Sequence, residues 1–219
     1  MNHPNTSPYI ISLLTLRKVI GILGILLPAM LLLVSLLFSD CSSVQHSISH
    51  YYYTISGDIL VGILCAVAIF LMSYKGYETI DNVASTVAGV CALGVAFFAC
   101  AQNPDPVCSV RSLPDAAWRE IIHYISAAFF FLVLALMSLF LFTKSKGHKT
   151  PQKIKRNRIY RTCGIIILVA MFLIGLYSIV PIIKLKFIAY NPVFWLEWLA
   201  LAAFGTSWLV KGKFILSDK

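Results

Sequence analysis

Apolar residues in this chain are grouped into six long runs separated by short polar segments. The runs cover residues 19–38, 56–72, 83–100, 121–142, 159–180 and 192–210. A helix that crosses the hydrocarbon core of a membrane needs about 20 mainly apolar residues, and each run is close to that length. The pattern therefore predicts an all-α integral membrane protein, a bundle of six transmembrane helices that forms a single membrane domain over residues 1–219.

Composition supports the membrane class. Hydrophobic residues make up 59% of the chain and charged residues only 12%, whereas soluble domains carry about 25% charged residues. The first apolar run is also longer than the roughly 7–15 residues of a cleaved signal peptide. We therefore expect it to be retained as the first helix.

Lysine and arginine are divided unevenly between the two sets of connecting segments. If the N-terminus is cytoplasmic, the inside segments carry 14 cations and the outside segments carry four. Because cytoplasmic loops are enriched in Lys and Arg, both termini are predicted to be cytoplasmic, in a bacterial inner membrane. The basic loop 143–158 is expected to contact anionic lipid headgroups, and no nucleic-acid partner is expected.

The most polar stretch close to an apolar run is residues 46–58, which lead into the second helix. The predicted second, fourth and sixth helices all run from outside to inside, so the ionisable residues near their starts fall in one outer layer. This layering predicts an outward-facing pocket that holds a lipid or small amphiphile. Its candidate ligand-binding residues are Tyr51, Tyr53, Asp58, His123 and Glu197.

Two further interpretations of the same layer stay open. His, Asp and Glu side chains are suitable zinc ligands, and a carboxylate beside an activated water is the arrangement of a hydrolase of lipid amides or esters. The zinc ligands would be His46, His50, Asp58, His123 and Glu197. His46 and His50 are spaced as HxxxH, but no HExxH motif is present, so no cofactor and no catalytic residue is assigned. The third interpretation is a structural or accessory subunit without a ligand.

Three of the six cysteines are predicted to lie on the outer side, where an oxidising compartment allows a disulfide. A pair between Cys100 and Cys108 is the first choice, because a short proline-containing loop joins them. A pair between Cys41 and Cys108 is the second.

Several segments together resemble a group of bacterial multi-span membrane proteins of unknown function, broadly similar to the Frag1/DRAM/Sfk1-like proteins. The resemblance rests on residues 47–54, 57–62, 73–77, 81–82, 141–144, 156–161 and 203–212. It implies a multi-span architecture and no particular activity. The chain also shows a partial similarity to intramembrane metal hydrolases, such as alkaline ceramidases and adiponectin-receptor-like proteins, but it departs from their pattern. Those proteins have seven helices and late histidines, whereas the last histidine here is His148.

Overall fold

The computed structural model describes residues 13–76, 78–102, 107–145 and 150–216, and in these ranges the chain is helical with connecting turns. The helices are α1 (Leu13–Phe38), α2 (Gly57–Ser73), α3 (Thr79–Phe97), α4 (Ala117–Leu136), α5 (Pro151–Ile179), α6 (Pro181–Phe187) and α7 (Pro192–Lys211). A π-helical segment, Met137–Leu141, continues α4. Short 3-10 turns cover Ser49–Tyr53 and Ile188–Tyr190. The predicted all-α class is confirmed.

Five helices in the described residues are long and apolar enough to cross a membrane, which fits a multi-pass membrane protein. These are α1, α3, α4 with its π-helical segment, α5 and α7. The sixth apolar helix, α2, has 17 residues. At 1.5 Å per residue it spans about 25 Å, slightly less than the hydrocarbon core of about 30 Å.

The six long helices of the described chain form a closed ring in the order α1, α2, α3, α4, α5, α7 and back to α1. Side chains from α4 and α7 fill the centre. The rings of Phe130 and Phe204 lie 6.2 Å apart, and Ser138 donates to Ser207 at 3.1 Å. The predicted second, fourth and sixth spans therefore alternate around the ring.

The ring is closed by a tight contact between α1 and α7 at two glycines. A Cβ atom on Gly21 would lie 2.7 Å from the carbonyl oxygen of Gly205, and one on Gly205 would lie 2.5 Å from the carbonyl oxygen of Gly21. Small residues allow such close approach of helices in lipid. Any larger side chain at either position would push the two helices apart.

Helices α1, α3 and α4 begin four to six residues before the predicted runs, and two segments differ more clearly from the expectation. The predicted basic loop 143–158 is helical from Pro151 onward, and residues 146–149 lie outside the described part. Thr150 caps α5 by accepting a hydrogen bond from the backbone N–H of Lys153 at 3.2 Å, and proline suits a first helical position. Hydropathy misses this start because the first turns of α5 are charged. The second difference is α6, which lies in a segment predicted as a loop.

The two ends of the ring differ in chemistry. At one end, here called the basic end, α2, α4 and α7 finish and α1, α3 and α5 begin. At the other, the disulfide end, residues 39–56 and the described parts of the connection from α3 to α4 fold over the helices.

Candidate functional site

Glu197 anchors the loop of residues 39–56 onto α7 at the disulfide end. Its Oε2 atom accepts a hydrogen bond from the backbone N–H of Ile48 at 2.6 Å, and the N–H of Ser49 also bonds to this carboxylate. The first N–H groups of a helical turn have no partner within the turn. Glu197 therefore supplies the acceptor for the start of the 3-10 turn Ser49–Tyr53.

The three histidines of the predicted site each bond to a different neighbour. His46 Nδ1 donates to Asn191 Oδ1 at 2.5 Å, and His123 Nδ1 donates to the carbonyl oxygen of Phe98 at 2.6 Å. His50 Nδ1 is hydrogen-bonded to Ser47 Oγ at 2.6 Å. Burial, with smaller contributions from His46 and His123, lowers the pKa of His50 to about 4.

The described residues contain no group of three His, Cys, Asp or Glu side chains that could hold a metal ion. The predicted zinc ligands are thus not gathered around one point, and the geometry gives the hydrolase interpretation no support.

Tyr51 and Tyr53 are buried and take part in packing at this end. The ring of Tyr51 lies 5.8 Å from that of Phe194, and the hydroxyl of Tyr53 donates to the carbonyl oxygen of Cys100 at 2.6 Å. Burial raises the pKa of each phenol to about 12. Both side chains therefore stay neutral and tie the loop to its neighbours.

Asp58 faces away from these contacts. Its side chain is 87% exposed and forms a salt bridge with Arg111 at 2.9 Å. The structure thus brings Glu197, His46 and the loop together, whereas Asp58 lies at the surface. The five candidate ligand-binding residues mainly hold a packed cap, and their role in binding a ligand stays a prediction.

The disulfide joins Cys41 to Cys108, so the first-choice pair of Cys100 with Cys108 is wrong and the second choice is confirmed. Cys100 is a buried free thiol, and burial raises its pKa to about 12. The proximity of Cys100 and Cys108 in sequence favoured the wrong pair. In the structure, two loops far apart in sequence fold over each other and bring Cys41 and Cys108 together.

At the basic end, a cavity of about 730 Å³ opens between the helix ends. Among the described lining residues, one carries a carboxylate, Glu78, and six carry a positive charge. The cationic residues are Arg17, Lys144, Lys153, Arg156, Lys211 and Lys213.

Four buried aromatic rings pack beneath this cavity and form what we call the aromatic floor. The ring of Trp208 lies 5.1 Å from Tyr74 and 5.4 Å from Phe142. The ring of Phe142 lies 5.5 Å from Tyr160. These rings come from α5, α7, the residue that follows α2 and the residue that follows the π-helical segment, so the floor joins four parts of the fold.

Three of the cavity's cations lie over this floor. Arg17 is 5.2 Å from the centre of the Tyr74 ring, Lys211 is 4.9 Å from that of Phe142, and Lys153 is 5.7 Å from that of Tyr160. The negative face of an aromatic ring attracts a cation at such distances. The rings thereby position several positive charges close together without neutralising them.

Arg17 is the most deeply buried of these cations, with 8% of its surface exposed. Its Nε atom is buried and has no hydrogen-bond partner among the described residues. A buried charged donor without a partner is costly. Arg17 thus combines two properties: it lines the cavity, and its Nε donor lacks an acceptor among the described residues.

Two carboxylates partly balance the positive charge of the cavity. Glu78 accepts a hydrogen bond from Lys144 Nζ at 2.6 Å at the rim, which raises the pKa of Lys144. Asp81 is buried and accepts from the backbone N–H of Glu78 at 3.1 Å. Six cations against these two carboxylates leave the cavity strongly positive, so its chemistry favours an anion.

The sequence contained a signal for this cavity that the prediction did not use. Tyr74 precedes Lys75, and Trp208 lies three residues before Lys211. Such pairs are typical of helix ends at a membrane surface. Each pair was therefore interpreted alone, and the sequence did not show that Tyr74, Trp208 and Lys211 lie close together in space.

Compared with protein-family models, curated proteins and solved structures, the chain matches none of them. The resemblance to the Frag1/DRAM/Sfk1-like proteins therefore stays a prediction.

Proposed function

We propose that this protein binds an anionic, phosphate-bearing lipid or amphiphile in the basic cavity. The observation that carries the proposal is the buried Arg17 guanidinium, whose Nε atom has no hydrogen-bond partner among the described residues. A phosphate oxygen would supply the missing acceptor. Phosphate is also a good match because guanidinium and ammonium groups bind it through charge-assisted hydrogen bonds.

The size of the cavity fits a bound molecule. Ligand pockets typically enclose about 300–1,000 Å³, and this cavity encloses about 730 Å³. A flat basic surface would attract anionic membranes without selecting among them. A concave site with an aromatic floor holds three of its positive charges over rings, which allows selection by headgroup.

The proposal includes a six-span topology in a bacterial inner membrane, with both termini cytoplasmic. Two independent features support it. The basic end carries most of the cations, as cytoplasmic segments do, and the Cys41–Cys108 disulfide lies at the opposite end, as an oxidising compartment requires. The cavity then faces the cytoplasm, at the level of the inner-leaflet headgroups.

The predicted outward-facing pocket is not the basis of this proposal. Four of its five candidate residues bond or pack against groups of the disulfide end, and Asp58 is paired with Arg111. A metal-dependent hydrolase lacks a gathered ligand set in the described residues. An accessory subunit without a ligand would leave the buried Arg17 donor unexplained.

Binding to the purified full chain in phosphatidylcholine nanodiscs tests the proposal. The probes are glycerol 3-phosphate, which is soluble, and dioleoyl phosphatidic acid, which is a lipid. We expect both to bind and Arg17→Gln to weaken both at least about tenfold, because a hydrogen bond to a charged group contributes about 1.5–3 kcal/mol. Binding of only the soluble probe would identify a free phosphate compound as the ligand.

Lys18→Gln is the matched control. Lys18 is adjacent in sequence but does not line the cavity, and it lies over the ring of Phe214. An equal loss in both variants would mean that only the overall charge matters. That result, or no binding of either probe to the unaltered protein, would refute a specific site.

A further inference from the structure

Beside the basic cavity lies an apolar groove of about 280 Å³ between α3 and α4. Its α3 side includes Ile80, Val83 and Val87, and its α4 side includes Val133, Met137 and Phe140. Ile80, Val83 and Phe140 are each more than half exposed. On a membrane-spanning surface, such a groove faces the acyl chains.

The groove and the cavity share no lining residue, but one ion pair connects the segments that line them. Ile80 follows Glu78 by two residues at the start of α3, and Leu141, which also lines the groove, precedes Lys144 by three. Glu78 and Lys144 both line the cavity and are joined at 2.6 Å. Their salt bridge therefore lies at the boundary between the polar and the apolar space.

The π-helical segment Met137–Leu141 shapes both spaces. Its wider turn is closed by a hydrogen bond from the backbone N–H of Phe142 to the carbonyl oxygen of Met137 at 2.9 Å. This segment directs Met137, Phe140 and Leu141 to the groove, while Phe142 joins the aromatic floor. Single π-helical turns within α-helices are frequently found at functional sites.

The groove is long enough to cross most of one leaflet. From Ile80 to Val87 it follows α3 for about 10 Å, and from Val133 to Leu141 it follows α4 for about 12 Å, at 1.5 Å per residue. One leaflet contributes about half of the roughly 30 Å hydrocarbon core. A chain that leaves the basic cavity can thus lie along the groove across most of one leaflet.

We propose that the ligand is an anionic lipid whose headgroup occupies the basic cavity while one of its acyl chains lies in the groove between α3 and α4. The lipid enters sideways from its own leaflet, past the Glu78–Lys144 salt bridge. This proposal rests on the proposed function, since it requires that the cavity bind a phosphate-bearing anion. A positive cavity and an apolar groove whose lining residues are neighbours in sequence at the Glu78–Lys144 salt bridge together suit one amphiphilic molecule.

The test distinguishes binding of the headgroup in the cavity from binding of the acyl chain in the groove. Val83→Trp fills the groove without altering a residue that lines the cavity. Val90→Trp is the matched control, because Val90 is an exposed residue of the same helix that does not line the groove. The probes are again glycerol 3-phosphate and dioleoyl phosphatidic acid, measured with the full chain in phosphatidylcholine nanodiscs.

We expect Val83→Trp to weaken binding of phosphatidic acid at least about fourfold, the effect of expelling a single buried methylene group. Binding of glycerol 3-phosphate should stay unchanged, and Val90→Trp should change neither. Retained binding of glycerol 3-phosphate also shows that the Val83→Trp protein is folded. If the Val83→Trp protein no longer binds glycerol 3-phosphate, the test is repeated with the smaller substitution Ala84→Leu in the same groove.

The outcomes distinguish the two proposals. If both probes bind to the unaltered protein and Val83→Trp weakens neither, the groove proposal is overturned and the cavity proposal stands. If neither probe binds to the unaltered protein, both fail. If Val83→Trp instead converts a dimer into a monomer, as read by mass photometry, the groove is a contact between two copies and the proposal is overturned.

Discussion

The guanidinium of Arg17 lies over the ring of Tyr74, with 5.2 Å between the Cζ atom and the ring centre. Arg17 belongs to the first turns of α1, and Tyr74 directly follows α2. The contact therefore joins two consecutive helices and fixes one cation of the basic cavity. A cation–π contact uses none of the guanidinium N–H groups as hydrogen-bond donors, so these groups stay available to an anion.

Replacement of Tyr74 by leucine should weaken binding of anions in the cavity. The loss of the ring removes a cation–π interaction of about 0.5–2 kcal/mol and with it the fixed position of Arg17. Titration with glycerol 3-phosphate measures the effect. Tyr74→Phe is the control, since it keeps the ring, and it should bind nearly as well as the unaltered protein. Equal weakening in the two variants would assign the effect to the hydroxyl instead.

Replacement of Glu197 by alanine should destabilise the disulfide end. The backbone N–H of Ile48 would lose its acceptor, at a cost of about 1–3 kcal/mol. Hydrogen exchange at Ile48 and thermal unfolding in detergent measure this loss. Glu197→Gln retains a carbonyl acceptor and should lose less. If binding of phosphatidic acid also fell in Glu197→Ala while the amide of Ile48 stayed protected, Glu197 would have the ligand-binding role first predicted.

Removal of the disulfide by Cys41→Ser should lower stability by about 2–5 kcal/mol, because the bond closes a loop between residues 67 positions apart. Thermal unfolding with and without reductant measures the effect, and the variant should no longer respond to reductant. Cys100→Ser is the control, and it should still respond. Thiol labelling of the unfolded protein should detect four free cysteines. Labelling of Cys41 without reductant would contradict the pairing.

Acidification should loosen the disulfide end through His50. Its pKa is about 4 in the folded protein and 6.5 in the unfolded chain. As the pH falls, His50 is therefore protonated in the unfolded chain at a higher pH than in the folded protein. The stability that the neutral imidazole contributes is complete above about pH 6.5 and is lost as the pH falls toward 4. The loss should be about 1–3 kcal/mol.

Thermal unfolding measured from pH 7 to pH 4 checks this expectation. His50→Gln cannot titrate and should flatten the profile. His46→Gln is the comparison, since it removes a neighbouring imidazole but leaves the burial of His50. A profile unchanged by His50→Gln would assign the pH dependence to other groups.

Much of the fold follows from hydropathy alone, because a helix that crosses the hydrocarbon core needs a long apolar run and such runs are unfavourable in contact with water. The bounds of α4 and α7 were close for that reason. Hydropathy marks only the part of a helix that contacts lipid. The start of α5 was missed because its first turns, around Lys153, are charged and precede the apolar run. Its cap, Thr150 followed by Pro151, was visible in the sequence.

The site was harder to predict because it depends on which helix ends meet. Glu197 was placed correctly in the same layer as the loop, but its partner is a backbone N–H, and no side-chain pattern reveals such a partner. Arg17, Tyr74 and Lys211 lie far apart in sequence, and each alone resembles an ordinary interfacial residue. Only the closed ring brings them around one cavity.

The contact between Gly21 and Gly205 has a consequence for biosynthesis. Nearly 180 residues separate the start of α1 from the start of α7, so at about 5–20 residues per second α1 waits roughly 10–40 s for its neighbour. During that interval one side of α1, including Gly21, faces lipid or the insertion machinery. The first helix made is thus among the last to gain its full set of partners, and the ring is completed only after α7 has been synthesised.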